Sequence, residues 1–302
     1  MNAVAQRVSA TAGERSTARL VLDVFKLRIG FSIALTALAG AMLALPQGAE
    51  AALRVAVVVL AVFLASAAAG AFNQYIEVDI DRRMVRTRGR PFVTGRLPHH
   101  PLWLALIAAI VAGATALAAW AANPLAAAYT FLGAFFYGVV YTLWLKRRTA
   151  ANIVVGGLAG SFALLAGAAA VSPQAAMAPL ALTFAWVMFL WTPPHFWSLA
   201  IFCREDYKAA GVPMLPVVVG DRKAARTVFH GALLLVASSL VPLFLGMGVI
   251  YGIGAVAGGA LFLRAALRLA CDPSRHTARA SFRASLLQLS LLLVAAIADR
   301  LA

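Results

Sequence analysis

Long apolar runs alternate along this chain with short polar stretches that hold almost all of its charge. Nine runs are long enough to cross about 30 Å of hydrocarbon. They lie near residues 22–45, 53–76, 101–121, 125–145, 152–171, 178–202, 228–247, 250–270 and 284–299. Several are joined by very short turns, as at 121–124 and 246–252, which makes those neighbours antiparallel. The pattern predicts an all-α integral membrane protein, a bundle of nine transmembrane helices. Residues 21–302 would form a single domain behind a polar cytoplasmic segment of residues 1–20.

Composition agrees, since 63% of residues are hydrophobic and 12% charged, too apolar for a soluble surface. A net charge of +15 in a soluble protein would point to nucleic acid. Here the basic residues cluster between spans, which is the distribution of topogenic charge and argues against a nucleic-acid partner. Counted by loop, 24 of the 26 lysines and arginines fall in the N-terminal segment or after the second, fourth, sixth and eighth spans, leaving Arg54 and Arg300 on the other side. That asymmetry predicts a cytoplasmic N-terminus and a C-terminus outside. The first nineteen residues lack an apolar core segment, which argues against a cleaved secretory signal, and Glu14 argues against a mitochondrial presequence. A bacterial inner membrane is the expected location. Cys203 and Cys271 sit at cytoplasmic edges, with neither a disulfide nor a cysteine metal site indicated.

The most informative polar stretch is NQYIEVDIDRRMVRTRGRPFVTG, Asn73 to Gly95. Each four-residue step on a helix turns about 40° and rises about 6 Å, so Asn73, Glu77 and Asp81 form one oxygen-bearing stripe at the mouth of the second span. Hard cations such as Mg2+ take one or two carboxylates plus substrate phosphate oxygens. Arg82, Arg83, Arg86, Arg88, Arg90 and Arg96 follow, and guanidinium forks suit phosphate. The stretch therefore reads as a cytoplasm-facing metal-diphosphate site. Asn73, Glu77, Asp81, Arg86 and Arg90 are its candidate catalytic residues. Asp79 projects to the opposite side, as a charge partner for an arginine. Lys146, Arg147 and Arg148 close the fourth span just before Thr149 and Asn152. They are either topogenic or, if the helix ends converge, further cations for the same diphosphate, with Lys146 and Arg147 joining Arg86 and Arg90.

A second stretch closes the sixth span, WTPPHFWSLAIFCREDYKAAGVPMLPVVVG, Trp191 to Gly220. Pro193 and Pro194 are expected to break or kink the helix. His195 has two readings, a hydrogen bond to a neighbouring helix or a contact to haem or substrate, imidazole being a common iron ligand. Leu199, Cys203 and Tyr207 share its face, and Cys203 and Tyr207 are candidate substrate contacts. Glu205 and Asp206 form a second acidic pair, available to a metal. Pro213 and Pro216 are expected to end any helix and leave an ordered loop. The cluster from Arg264 to Arg283 has no acidic stripe and reads as topology. The GGLAG stretch, Gly156 to Gly160, lacks a preceding strand and reads as a close helix contact.

These stretches resemble a known superfamily, the UbiA-type intramembrane prenyltransferases, nine-helix enzymes that use Mg2+ and polyprenyl diphosphates. NQYIEVDIDRRMVRTRGRP, KRRTAANIVVGGLAG, WTPPHFWSLAIF and REDYKAAGVPMLPVVVG are similar, in that order, to its haem-farnesylating branch, the protohaem IX farnesyltransferases or haem O synthases. Quinone-type members carry a second Asp-x-x-x-Asp motif where this chain has Cys203 and Tyr207 around Glu205 and Asp206, a departure that favours the haem branch. The resemblance implies Mg2+-dependent transfer of a farnesyl group from farnesyl diphosphate to the 2-vinyl group of haem b, with water added, giving haem o. It implies a downstream haem A synthase or terminal oxidase as recipient, and membrane lipid as surroundings. A phenolic or quinone precursor is the alternative acceptor. A transporter is disfavoured because no acidic set sits at the outer face.

Overall fold

The computed structural model describes residues 16–302, so the first fifteen positions of the polar N-terminal segment, Arg7, Glu14 and Arg15 among them, lie outside the described residues. All regular secondary structure among the described residues is helical. Helices α1 (Thr17–Val24), α2 (Leu27–Leu43), α3 (Gly48–Ile76) and α4 (Val78–Arg83) come first. A turn-rich loop leads to α5 (Leu102–Ala121), α6 (Pro124–Leu145), α7 (Asn152–Val171) and the short α8 (Pro173–Met177). Then follow α9 (Pro179–Phe202), α10 (Arg204–Ala209), α11 (Leu215–Val219), α12 (Asp221–Leu245), α13 (Val249–Cys271) and α14 (Arg275–Leu301).

Seven of these, α3, α5, α6, α7, α12, α13 and α14, are long and apolar enough to cross a membrane. Helix α2 is apolar but has 17 residues, and α9 has 24 residues that include two prolines and His195. Helix α2 packs on α3, α7 and α14, α9 packs on α7, α12 and α14, and α5 lies at the edge against α3 and α6. Small residues set the closest approaches. A Cβ on Gly167 would stand 1.7 Å from the Ala37 carbonyl oxygen, and one on Gly40 would stand 2.0 Å from that of Leu164. Helices α2 and α7 therefore meet backbone to backbone, a contact only glycine permits. The GGLAG stretch does the same on a smaller scale, since Cβ atoms on Gly156 and Gly157 would press on Tyr141 and Thr192 at 3.1 and 3.0 Å. Chain entry is set by caps, Asn123 accepting from Ala126 N ahead of Pro124, and Ser274 with Thr277 forming a reciprocal capping box on α14.

Three local expectations are corrected, and α6 adds a feature that the apolar pattern does not predict. The first run is two helices, separated at Lys26, whose φ of 49° puts it in the left-handed region. Helix α9 carries both Pro193 and Pro194 without interruption. Thr192 and Ser198 turn their hydroxyls back onto the Met188 and Pro194 carbonyls there, within a bundle interior that tolerates proline. Pro216 opens α11 rather than barring it, because a proline in the first turn sacrifices only a donor that has no helical partner. Finally α6 changes character at Phe136, and Phe136–Leu145 is π-helical, with Lys146 N bonded to Tyr141 O.

Candidate active site

The oxygen stripe forms as the spacing requires, although α3 ends at Ile76 and α4 begins at Val78. Glu77 N bonds to Asn73 O at 3.1 Å and Asp81 N to Glu77 O at 2.8 Å, so the i to i+4 ladder passes through the break. Asn73, Glu77 and Asp81 are all buried, at 3%, 1% and 2% exposure. Buried carboxylates need counter-charges, and each member of the stripe has a basic partner from a different element. Lys26 Nζ donates to Asn73 Oδ1 at 2.6 Å, Lys146 Nζ to both Glu77 oxygens at 2.6 and 2.5 Å, and Arg90 to Asp81. Asn73 Nδ2 in turn donates to Thr142 Oγ1 at 3.2 Å.

The π-helical turn of α6 brings these partners together. Its wider register lets Thr142 Oγ1 bond Tyr137 O, five residues back, and puts Tyr137, Tyr141, Thr142 and Lys146 on the side that faces the stripe. The arginine loop is anchored at two points. Asp206 on α10 accepts from Val85 N at 3.0 Å and Arg86 N at 3.3 Å. At its far end Phe92 packs edge-on against Tyr75 and Trp103, and His99 stacks on Tyr75 at 3.9 Å. Arg86, exposed at the mouth, lies within electrostatic reach of Tyr207, Cys203, Asp81 and Asp206. Burial pushes the Tyr207 hydroxyl up to about 12 and raises the Cys203 thiol, so neither offers an anionic ligand.

Other expected residues stand apart. Arg147 forms a bidentate pair with Asp79, 2.8 Å on each arm and exposed, the partner expected for Asp79. Glu205 is exposed and unconnected to the stripe, while Asp206 holds the loop. His195 makes the hydrogen bond to a neighbouring helix that one of its two readings required, Nδ1 to Ser285 Oγ of α14 at 2.7 Å. The Ser285 hydroxyl also donates to Phe282 O at 2.7 Å, which leaves the Nδ1 proton to the histidine and a lone pair on Nε2. Its ring is sandwiched between Trp191 and Phe282 at 4.1 and 4.7 Å. Lys26, Thr142, Tyr137 and Tyr141 were not singled out from sequence; Lys26 was counted as topogenic charge.

The donor set fits a hard divalent cation. Asn73, Glu77 and Asp81 offer amide and carboxylate oxygens on one buried face. No cluster of three or more His, Cys, Asp or Glu suited to a metal occurs among the described residues, so such an ion would rely on Asn73 and on substrate oxygens. Two stripe carboxylates face four cations, Lys26, Lys146, Arg86 and Arg90. The surplus favours a polyanionic ligand.

Residues 33–292 match the UbiA prenyltransferase family. The chain belongs to that family. The enzyme is thus a prenyltransferase, and its relatives narrow the branch. It is 53% identical over 283 residues to protoheme IX farnesyltransferase 2 of Paramagnetospirillum magneticum, covering 94% of this chain and 97% of that one. It is 41% identical over 281 residues to the protoheme IX farnesyltransferase of Hahella chejuensis, covering 92% of each. Among solved structures the fold resembles a digeranylgeranylglyceryl phosphate synthase, with a TM-score of 0.75 at 19% identity over 95% of this chain and 99% of that one. It also resembles a UbiA homolog from Archaeoglobus fulgidus bound to DMAPP and Mg2+, with a TM-score of 0.63 at 15% identity over 90% and 99%.

Proposed function

We propose that the protein transfers a farnesyl group from farnesyl diphosphate to the 2-vinyl group of haem b, with addition of water, giving haem o and diphosphate. The observation that carries this reading is the Asn73–Glu77–Asp81 stripe with a cation on every member, in a chain more than half identical to a curated protoheme IX farnesyltransferase. Mg2+ held by Asn73, Glu77 and Asp81 would supply charge neutralisation at the diphosphate oxygens.

The chain's own residues do the rest. Arg86, Arg90, Lys146 and Lys26 take the negative charge that grows on diphosphate as the farnesyl C1–O bond breaks and its electron pair leaves with the oxygen. The aromatic rings of Tyr137, Tyr141 and Tyr207 line that region and face the allylic cation without offering an anion to trap it. The terminal vinyl carbon attacks C1, and water adds to the resulting cation beside the porphyrin ring and loses a proton. The apolar bundle accommodates both chain and ring and restricts water to that last step.

In this reading residues 21–302 act as one catalytic domain of nine spans, with α2 and α9 as the two beyond the seven longer apolar helices. The site end carries the cationic loops and so faces the cytoplasm of a bacterial inner membrane. The test is to incubate purified protein with haem b, farnesyl diphosphate and Mg2+ and to weigh the extracted haems. A haem heavier by farnesyl plus water, absent after chelation and in Asp81→Ala, is expected. Unmodified haem together with a prenylated phenolic acceptor would overturn the haem assignment and leave the family chemistry intact.

A further inference from the structure

Two cations that the stripe does not use stand at the cytoplasmic end of the seam between α9 and α14. Arg275 lays its guanidinium over the Phe202 ring at 5.3 Å, and Arg279, one turn on, lies over the same ring at 5.8 Å. Arg275 Nε also donates to the Phe202 carbonyl at 3.3 Å, at the last turn of α9. Both residues are exposed, and neither is ion-paired with a carboxylate among the described residues. Arg275 thus closes the end of α9, but like charges four residues apart on a helix weaken it, so that structural role does not account for the second guanidinium on the same ring. Paired forks without a counter-ion suit carboxylates.

The seam below them is equally specific. Descending α14, Phe282 and Ser285 face His195 and Trp191, while Ser281 bonds Ser198 at 2.9 Å. Below the cations the seam is closed by stacked aromatic faces and by buried side chains bonded to one another across α9 and α14. Cys203 lies within electrostatic reach of both Arg275 and Arg86, which puts the cation pair next to the diphosphate loop.

We infer that Arg275 and Arg279 form the carboxylate subsite of the prenyl acceptor and hold the two propionates of a dianionic tetrapyrrole. The inference rests on the proposed haem chemistry. Haem b carries its propionates on one edge and its vinyl groups away from them, so anchoring the acids at the mouth turns the vinyl side into the bundle. An anionic lipid headgroup offers similar oxygens, and the test separates the two.

Wild-type protein, Arg275→Gln/Arg279→Gln and Arg275→Lys/Arg279→Lys are titrated in neutral detergent with haem b and with haem b dimethyl ester, following the Soret band. Each is also titrated with micelles doped with anionic lipid. Loss of two charge-assisted contacts is expected to weaken haem b binding by about tenfold or more in the glutamine variant. The ester should bind wild type and variant alike, the lysine variant should fall between, and KM for haem b should rise while that for farnesyl diphosphate stays put. Equal haem b affinity in wild type and glutamine variant overturns the inference. So does a variant that loses only anionic-lipid binding, which would make the pair a headgroup site. If wild type itself ignores haem b but prenylates a phenol, the proposed function has failed, a result read without any variant.

Discussion

Glu77 and Lys146 are buried together, at 1% and 7% exposure, with the ammonium bonded to both carboxylate oxygens at 2.6 and 2.5 Å. Lys146→Met keeps much of the side-chain volume, removes the cation and leaves a carboxylate buried without counter-charge, at a cost of about 3–5 kcal/mol. Glu77→Gln/Lys146→Met removes both charges and should recover most of that loss, because a neutral pair of similar shape has no charge to desolvate. Activity follows a different rule. On the proposed chemistry the leaving diphosphate needs the cation whether or not the fold does, so single and double variants alike should lose about 10²–10³ in kcat. Thermal midpoints in detergent report the first quantity and mass-resolved haem product in single turnover the second. The reasoning fails if Lys146→Met melts with wild type, or if the double variant regains turnover along with stability.

Four further outcomes follow from the same structure. Lys26→Gly and Lys26→Ala should both lower turnover by removing the amine from Asn73, and the glycine variant should melt above the alanine variant, since a φ of 49° strains any residue with a Cβ. Asp206→Ala should raise KM for farnesyl diphosphate by releasing Val85 N and Arg86 N, with unchanged Mg2+ dependence; a changed metal requirement would instead make Asp206 a ligand. The Arg147 hydrogen bonds hold the Asp79 carboxyl below its ordinary value of about 3.9, so its stabilisation is complete above that pH and is lost as pH falls through the lower folded value. The pair is exposed and should be worth no more than about 1 kcal/mol, seen as the wild-type-minus-Arg147→Gln difference in acid melting curves. Gly167→Ala must part α2 from α7, because its Cβ would overlap the Ala37 oxygen, and should cost at least about 1–3 kcal/mol in thermal melts.

Much of this architecture is legible in the sequence because the membrane imposes a simple rule: apolar runs of sufficient length become helices. Seven of the nine runs reappear as helices long and apolar enough to span, and the carboxylate stripe is readable because four-residue spacing survives even the break at Glu77. What was not legible depends on backbone states that hydropathy does not encode. The π-helical turn leaves the apolar pattern of Phe136–Leu145 unchanged, yet it decides that Tyr137, Tyr141, Thr142 and Lys146 face one way. The left-handed Lys26 lies inside an apolar run and looked like topogenic charge. Proline signals misled in the opposite sense, since Pro193 and Pro194 sit in a helix whose surroundings tolerate the lost donors.

Hydropathy also cannot say which cation meets which oxygen, and that pairing is where fold and chemistry coincide. Lys26 comes from the α1–α2 turn, Lys146 from the end of α6 and Arg90 from the loop after α4, yet all three converge on one stripe of α3 and α4. Buried carboxylates are tolerable only with partners, so the acids that would hold a metal also oblige three separate segments to assemble around them. The same cations then stand where a diphosphate would leave. A change to Lys146 or Arg90 alters assembly and turnover at once, and paired substitutions that remove both charges separate the two effects.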